Sequence, residues 1–542
     1  MPERRAIERL LVANRGEIAA RIFRSCRRLG IAAVAVFAPD DEGAFHTRGA
    51  DDVRAIGSYL EPSHVVSAAE RSGADAVHPG YGFLAESPAL SEAVLEAGLT
   101  WVGPPPDVLR AAGDKLEAKR IAEEAGVPVV PTGEPDDLGY PLLVKAAAGG
   151  GGRGMRVVHA AEELDGAVEA ARREAKAGFG DETVFFERYV ERPRHVEVQL
   201  LADVDGRVAH LWERECSIQR RHQKVLEESP SPALDAQLRE RLAEAALMLA
   251  RALRYEGAGT AEFILDADGA FYFLELNARI QVEHPVTELV TGADLVEHQL
   301  RVAAGEPLSV VPGEPDGHAV EVRLYAEHPL SFLPQAGRIE RLRLSGGVRV
   351  DAGVEAGDEV PVAYDPMIAK LVAHAETRAE ALDRLAAALD ETDVGGVTTN
   401  LAFLRWLVRH PEVRAGRTTT AFLVEHPPLS RYPRIPDVWR GGFRLNREPA
   451  VPQPPPVPES TQHTHVSGGH AERQVVAPMP GVVIRVLAGE GDRVEPRQPL
   501  VVLEAMKMET PLVSPFEATV RAVNVAEGDR VAGGAVLVEL EE

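Results

Sequence analysis

The sequence predicts an α/β body of several domains, followed across a linker by a small all-β domain. Three observations carry that reading: a strand–helix–strand pattern over residues 7–38, a proline run at 449–458, and a short motif that recurs within 474–542. At 542 residues the chain exceeds one ordinary domain, and about three or four are expected.

The opening run IERLLVA is followed by a glycine turn at Gly16, the helical IAARIFRSCRRLG and the strand IAAVAVF. This is a βαβ unit starting a parallel sheet. Similar alternation continues to about residue 103. A helix is expected from Lys115 to Gly126, then strand, glycine loop and strand over 141–160, and two strands over 183–213. A helix over 233–254 leads into the strands FILD and FYFLELN, joined by a turn at Asp268-Gly269. PAVPQPPPVP and STQHTHVSGGH lack apolar periodicity and read as a stiff, then a flexible, linker. The 25 residues from Pro449 to Arg473 would reach roughly 25–30 Å as coil and ~75 Å extended. Beyond them Glu490-Gly491-Asp492-Arg493-Val494 recurs as Glu527-Gly528-Asp529-Arg530-Val531. Two such halves suggest a quasi-twofold β sandwich.

Composition narrows the function. An apolar fraction of 45% and a charged fraction of 26% are those of a soluble globular protein. A net charge of −25 argues against nucleic-acid and anionic-membrane partners. Cys26 and Cys216 are too few for a disulfide framework or a cysteine-built metal site. No signal peptide and no membrane-spanning apolar run are read, so a cytoplasmic location is expected. Seven lysines stand against 52 arginines, which marks each lysine as a candidate for a role only a compact ammonium or reactive amine can fill.

Lys507 stands in Ala505-Met506-Lys507-Met508, between the two β halves, where a hairpin turn would expose its amine. Gly149, Gly150, Gly151 and Gly152 lie between two strands and, lacking side chains, can close backbone N–H groups over phosphate. Lys145 at the strand end and Lys115 after Gly113-Asp114 are placed as phosphate-binding cations. Glu262 and Glu275 end adjacent strands with Asn277 two residues on, gathering oxygen ligands suited to Mg2+ or Mn2+.

With these motifs in place, residues 1 to about 430 resemble biotin carboxylase. The resemblance rests on ANRGEIA (13–19), HPGYGFLAE (78–86), KAAAGGGGRGMRVV (145–158), PRHVEVQ (193–199), ECSIQRRHQK (215–224), ELNARIQVEHPVTE (275–288) and YDPMIAKL (364–371). The AMKM context resembles the biotinyl domain of biotin carrier proteins. The implied fold is α/β and ATP-grasp: a Rossmann-like N-terminal domain (1–114), an ATP-grasp domain (115–310) with a glycine-loop lid at about 120–190, and a C-terminal domain (311–430). A linker (431–473) and an all-β biotinyl carrier domain (474–542) would follow. The family places its metal and bicarbonate sites in the C-terminal part of the carboxylase.

The resemblance also implies roles. Lys115, Lys145, Glu187, Val190, His195, Gln219, His222 and the lid glycines would hold ATP. Glu262 and Glu275, supported by Asn277, would bind metal. Arg279, Gln281 and Val282 would orient bicarbonate with Lys224 nearby, Glu283 would be the general base, and Arg323 would face the biotin ureido oxygen. Lys507 would carry biotin through an amide made by a biotin protein ligase. Bicarbonate is a poor nucleophile and a poor electrophile; a carboxylate base remedies the first and phosphorylation the second.

A separate carboxyltransferase (β) subunit would complete an acyl-CoA carboxylase, and the chain would form a homo-oligomer. The α-subunits of propionyl- and methylcrotonyl-CoA carboxylases carry a sizeable docking domain before the carrier. Here only 431–473 is available, and PDVWRGGFRLN (436–446) resembles its start. Rival readings are another ATP-grasp ligase, a carrier scaffold with a decayed ATP site, and a multifunctional carboxylase. The carrier lysine counts against the first and the intact acids and lysines against the second. For the third, no residues remain in the sequence for a transferase domain.

Overall fold

The computed structural model describes residues 6–147, 155–179, 181–220, 223–309, 313–428, 473–478, 481–505, 508–531 and 533–541. Gly149, Gly150, Gly151, Gly152, His222, Lys507 and the linker as far as residue 472 lie outside the described residues.

The opening strands are apolar almost throughout because both of their faces are covered. Leu11, Val34 and Val36 enter one core cluster, while Leu10, Val12, Ala33 and Ala35 enter another. This is period-two alternation with both sides buried. The parallel sheet runs Asp52–Ala55, Ala32–Phe37, Arg9–Val12, Ala76–His78, Thr100–Trp101. Its strand order reverses at Arg9–Val12, so the segments leaving Val12 and His78 open one crevice, where open α/β sheets place ligands. Asn14 locks the two together by donating from Nδ2 to the carbonyls of Pro79 and Tyr81, both at 2.7 Å. Gly80 has φ +66°, and a Cβ there would come within 2.8 Å of the Asn14 amide, so only glycine fits.

A small antiparallel sheet of Arg156–Val158, Leu142–Ala146 and Val184–Arg188 carries the helix Leu164–Phe179. It has a modest core of its own around Leu142, Val144, Val158 and Ala171.

The site is built on a larger antiparallel sheet. Its order is Phe271–Asn277, Gly257–Leu265, Arg194–Ala202, Val208–Arg220, Gln223–Ser229, His318–Tyr325, Met367–Ala375, Arg349–Ala352. This sheet takes strands from both sides of residues 310/311, so the proposed ATP-grasp and C-terminal domains share it. Register then dictates chemistry. Glu275, Glu262, Glu197 and Arg214 form one cross-strand row, and Asn277, Thr260 and Gln199 form the row two residues on.

The domain after the linker pairs two four-stranded sheets, built from strands between Gln474 and Glu541. Both copies of the repeat turn through glycine at positive φ, Gly491 (+87°) and Gly528 (+93°). In each copy the aspartate Oδ2 accepts a backbone N–H at 2.8 Å, Asp492 from Gly489 and Asp529 from Ala526. Val494 and Val531 then enter the sandwich core. The quasi-twofold sandwich read from the repeat is what forms. Among the described residues no helix is long and apolar enough to cross a membrane.

Candidate active site

Residues on the large sheet and the turn after it converge on Lys224. Its Nζ donates to Glu197 Oε2 at 2.5 Å, Glu283 Oε1 at 2.6 Å and Glu262 Oε1 at 2.8 Å. Three buried carboxylates on one ammonium hold it charged: burial works against the charge, but the acids outweigh it and raise the lysine well above its ordinary value. The fully buried Arg214 backs this set. It bonds Glu197 Oε1 at 2.5 Å and Gln199 Oε1 at 2.7 Å, and reaches Thr260 and Thr287. Breaking such a buried pair by deleting one partner costs about 3–5 kcal/mol, so Arg214 is structural ground for the acids around it.

Glu283 stands at the N-cap of the helix His284–Thr291 with its side chain fully buried. Oε1 faces Lys224, and Oε2 accepts from Arg323 NH2 at 3.0 Å. Burial would raise its pKa, but Lys224, Arg323 and Arg214 overcome that and hold it far below the carboxylate range. At rest Glu283 is an ionised carboxylate clamped between two cations.

The acids expected to bind metal face each other in register, Glu262 opposite Glu275. Burial and the neighbouring Glu262 both raise the Glu275 carboxyl. That repulsion between oxygen donors on rigid strands is what a hard divalent cation relieves, so the residues present fit one. Asn277 Nδ2 donates to Glu262 Oε1 at 2.8 Å. His195 Nε2 lies 2.9 Å from Glu262 Oε2, and Gln219 Nε2 lies 2.8 Å from His195 Nδ1. Arg279 donates to Asn277 Oδ1 at 2.9 Å and Gln281 Oε1 at 3.1 Å, and its Nε lies 3.2 Å from Glu86. Gln281 Nε2 returns to Glu262 Oε1 at 3.2 Å. The Val282 carbonyl accepts from Lys370 Nζ at 2.8 Å, which fixes the peptide leading into Glu283.

At the other end, Glu187 is shared by two lysines: Oε1 pairs with Lys119, and Oε2 lies 3.2 Å from Lys145. Lys115 is half-buried; burial lowers its pKa, Glu275 raises it and Lys145 lowers it again. Val190 is half-buried just beyond the strand Val184–Arg188 and contributes apolar surface.

Most of the expected site residues within the described chain are thus linked by direct contacts or electrostatics. Several partners were not assigned from sequence: Glu197, Arg214, Glu86, Lys119 and Lys370. A signal existed for some. His195, Glu197 and Gln199 alternate with valines along one strand, so their polar side chains share a face. Glu86 and Lys370 lie inside quoted motifs, whereas Arg214 and Lys119 carried no local mark. Lys119 neutralises Glu187 beside Lys145. Without it Glu187 would hold Lys145 and repel phosphate. Lys119→Met is therefore expected to raise KM for ATP about fivefold, ~1 kcal/mol, with kcat little changed. Steady-state kinetics check this, and an unaltered KM counts against it.

Comparison with known proteins gives four matches in chain order. Residues 6–109 match "Biotin carboxylase, N-terminal domain" and 114–311 match "Carbamoyl-phosphate synthase L chain, ATP binding domain". Residues 321–425 match "Biotin carboxylase C-terminal domain", and 473–540 match "Biotin-requiring enzyme". The mitochondrial methylcrotonoyl-CoA carboxylase subunit alpha of Arabidopsis thaliana is 47% identical over 450 residues, 78% of this chain and 61% of that protein. The chain thus spans about six-tenths of this plant relative's length. Biotin carboxylase of Halalkalibacterium halodurans is 45% identical over 441 residues, covering 77% of this chain and 98% of the relative. The crystal structure of a biotin carboxylase–ATP-analogue complex from Campylobacter jejuni superposes with TM-score 0.75 at 40% identity, over 78% of this chain and 99% of that one. The second match bears the name of a rival ligase, but it lies between two domains particular to biotin carboxylase. A relative spanned almost end to end settles the point: this chain belongs to the biotin carboxylase family.

Proposed function

We propose that this chain is the biotin-bearing, biotin-carboxylating subunit of an acyl-CoA carboxylase, using ATP and bicarbonate. The observation that carries the proposal is the Glu283 carboxylate held between Lys224 and Arg323, beside the facing acids Glu262 and Glu275.

Bicarbonate, oriented by Arg279, Gln281 and the Val282 peptide, would enter next to Lys224. Its own charge competes for Lys224 and Arg323, and as they turn to it Glu283 regains basicity. Glu283 then takes the bicarbonate proton, the freed oxygen attacks the γ-phosphorus, and the bond to the β-phosphate oxygen breaks to release ADP. The product is carboxyphosphate. Lys115 and Lys145 hold the phosphates, with Glu187 setting the position of Lys145. Glu262 and Glu275, with Asn277, would hold Mg2+ or Mn2+, which neutralises phosphate charge. Carboxyphosphate would break down to CO2 and phosphate beside biotin, bound as an amide on Lys507, whose ureido nitrogen would take the CO2 while its proton passes to the released phosphate. Arg323 would face the ureido oxygen as negative charge develops there.

Relatives named subunit alpha (Arabidopsis thaliana) and alpha chain (the propionyl-CoA carboxylase of Ruegeria pomeroyi) support transfer to the acyl-CoA on a separate β subunit. A biotin protein ligase would load Lys507. The test supplies the purified chain with ATP, Mg2+, bicarbonate and acetyl- or propionyl-CoA, with and without a candidate β subunit. Free biotin should be carboxylated in both samples, and malonyl- or methylmalonyl-CoA should appear only with the partner. Carboxylated CoA from this chain alone overturns the division of labour.

A further inference from the structure

Behind Arg323 lies a pair of acids that the mechanism above does not use. Glu227 and Glu321 sit directly opposite each other on neighbouring antiparallel strands, Gln223–Ser229 and His318–Tyr325. Both side chains are 0% exposed. Val372, the register partner of Glu321 on its other side, packs with Ala319 against Val286 and Val290 of the helix His284–Thr291. The acids therefore lie beside an apolar seam. None of their four carboxyl oxygens has a well-formed hydrogen bond. Arg323 NH2 comes within 2.5 Å of Glu227 Oε1 and 3.0 Å of Glu283 Oε2, while the cation that acts most strongly on Glu321 is Lys370. The Arg323 Nε, also buried, has no hydrogen-bond partner.

We propose that Glu227 and Glu321 together hold a proton behind Arg323, and that Glu227 is a positioning residue which steadies this guanidinium without cancelling its charge. Register-paired carboxyl groups have Cβ atoms only ~4.5–5.5 Å apart, and without a hydrogen-bonded cation between them, such as Lys224 between Glu197 and Glu262, two unsolvated carboxylates so paired do not both stay ionised. The surrounding charges point the same way. The cations that act on the pair are already engaged by other acids: Arg323 by Glu283, Lys224 by Glu197, Glu262 and Glu283, and Lys370 by Glu17. His284, on the covering helix, is held neutral by burial and adds no charge. Burial lifts the Glu227 carboxyl to about 7 against the pull of Arg323, and lifts Glu321 well above its ordinary value. A neutral Glu227 leaves Arg323 with one full counter-charge, Glu283, and keeps its remaining field for the reacting group.

This inference rests on the reading of Arg323 as the group facing biotin, and the test separates the two. Free-biotin carboxylation and KM for ATP are measured for Arg323→Ala, Glu227→Ala and Glu227→Gln, with the infrared band of protonated carboxyl groups recorded at pH 7. Glu227→Gln, a mimic of the neutral acid, should keep at least a third of wild-type kcat, and part of that band should be lost once both acids are replaced, in Glu227→Gln/Glu321→Gln. Glu227→Ala should lose about tenfold in biotin carboxylation with KM for ATP unchanged. If Glu227→Gln is as impaired as Glu227→Ala, or the band is undiminished in Glu227→Gln/Glu321→Gln, the proton-holding pair is refuted. If Arg323→Ala is impaired and Glu227→Ala is not, only this inference fails; if Arg323→Ala is normal, the role of Arg323 itself fails. Should Glu227→Ala not fold, the rate of Glu227→Gln and the infrared band of Glu227→Gln/Glu321→Gln decide alone.

Discussion

Co-expressed with a biotin ligase, the wild-type chain is expected to gain the mass of one biotin, and Lys507→Arg to gain none. The fold explains why one lysine is singled out. Strands Pro499–Ala505 and Met508–Val513 pair in register up to Ala505 opposite Met508, so the connection between them is residues 506–507. Lys507 itself lies outside the described residues; in the sequence its AMKM context falls between the two copies of the repeat. Arginine preserves the positive charge, but its guanidinium stays protonated and cannot form the amide. The consequence is selective. Lys507→Arg should carboxylate free biotin at close to the wild-type rate, because residue 507 belongs to a different domain from Lys224, Glu283 and Arg323. Product from an acyl-CoA in the presence of a β subunit should fall to background. Intact mass and a coupled assay read both halves, and biotin on any other lysine would sink the assignment.

The fold was legible where one residue pattern permits one structure. Apolar runs broken by Gly16 and Gly30 announced the parallel sheet, and the repeated Glu-Gly-Asp-Arg-Val announced a two-fold sandwich because each copy needs the same glycine turn and aspartate bond. The metal-binding expectation placed Glu262 and Glu275 at strand ends, but both lie within their strands, Gly257–Leu265 and Phe271–Asn277, and they face each other through a register shift between Glu262 and Phe263. Burial partners were harder to see. Arg214 and Glu197 pair across strands through a register that depends on a bulge in the Val208–Arg220 strand, which local sequence does not reveal. Lys119 and Glu187 are joined by tertiary packing alone. Glu227 and Glu321 are adjacent only because the large sheet continues through residues read as a boundary between domains. Long-range pairing placed these groups, and a single sequence records its ingredients without its register.

Glu283→Gln is expected to reduce bicarbonate-dependent ATP cleavage by on the order of 10²-fold or more while leaving ATP binding intact. Glutamine keeps the volume and one acceptor oxygen, so Arg323 and Lys224 retain a partner, but the amide cannot take a proton from bicarbonate. The fold should tolerate the change: Lys224 is still held by Glu197 and Glu262, and Arg323 by Glu227. KM for ATP should stay within about threefold, because among the described residues no hydrogen bond or ion pair joins Lys115, Lys145 or Glu187 to Glu283. Arg323→Ala provides the contrast. It should slow biotin carboxylation far more than it weakens ATP binding, since its guanidinium stands at the Glu283 end of the site and not at the Lys145 end. Steady-state ATP cleavage with and without bicarbonate, together with carboxylation of free biotin, separates these effects. A Glu283→Gln enzyme that carboxylates biotin normally would place the base elsewhere, and Lys224, clamped by three acids, would then have to be explained as a purely structural cation.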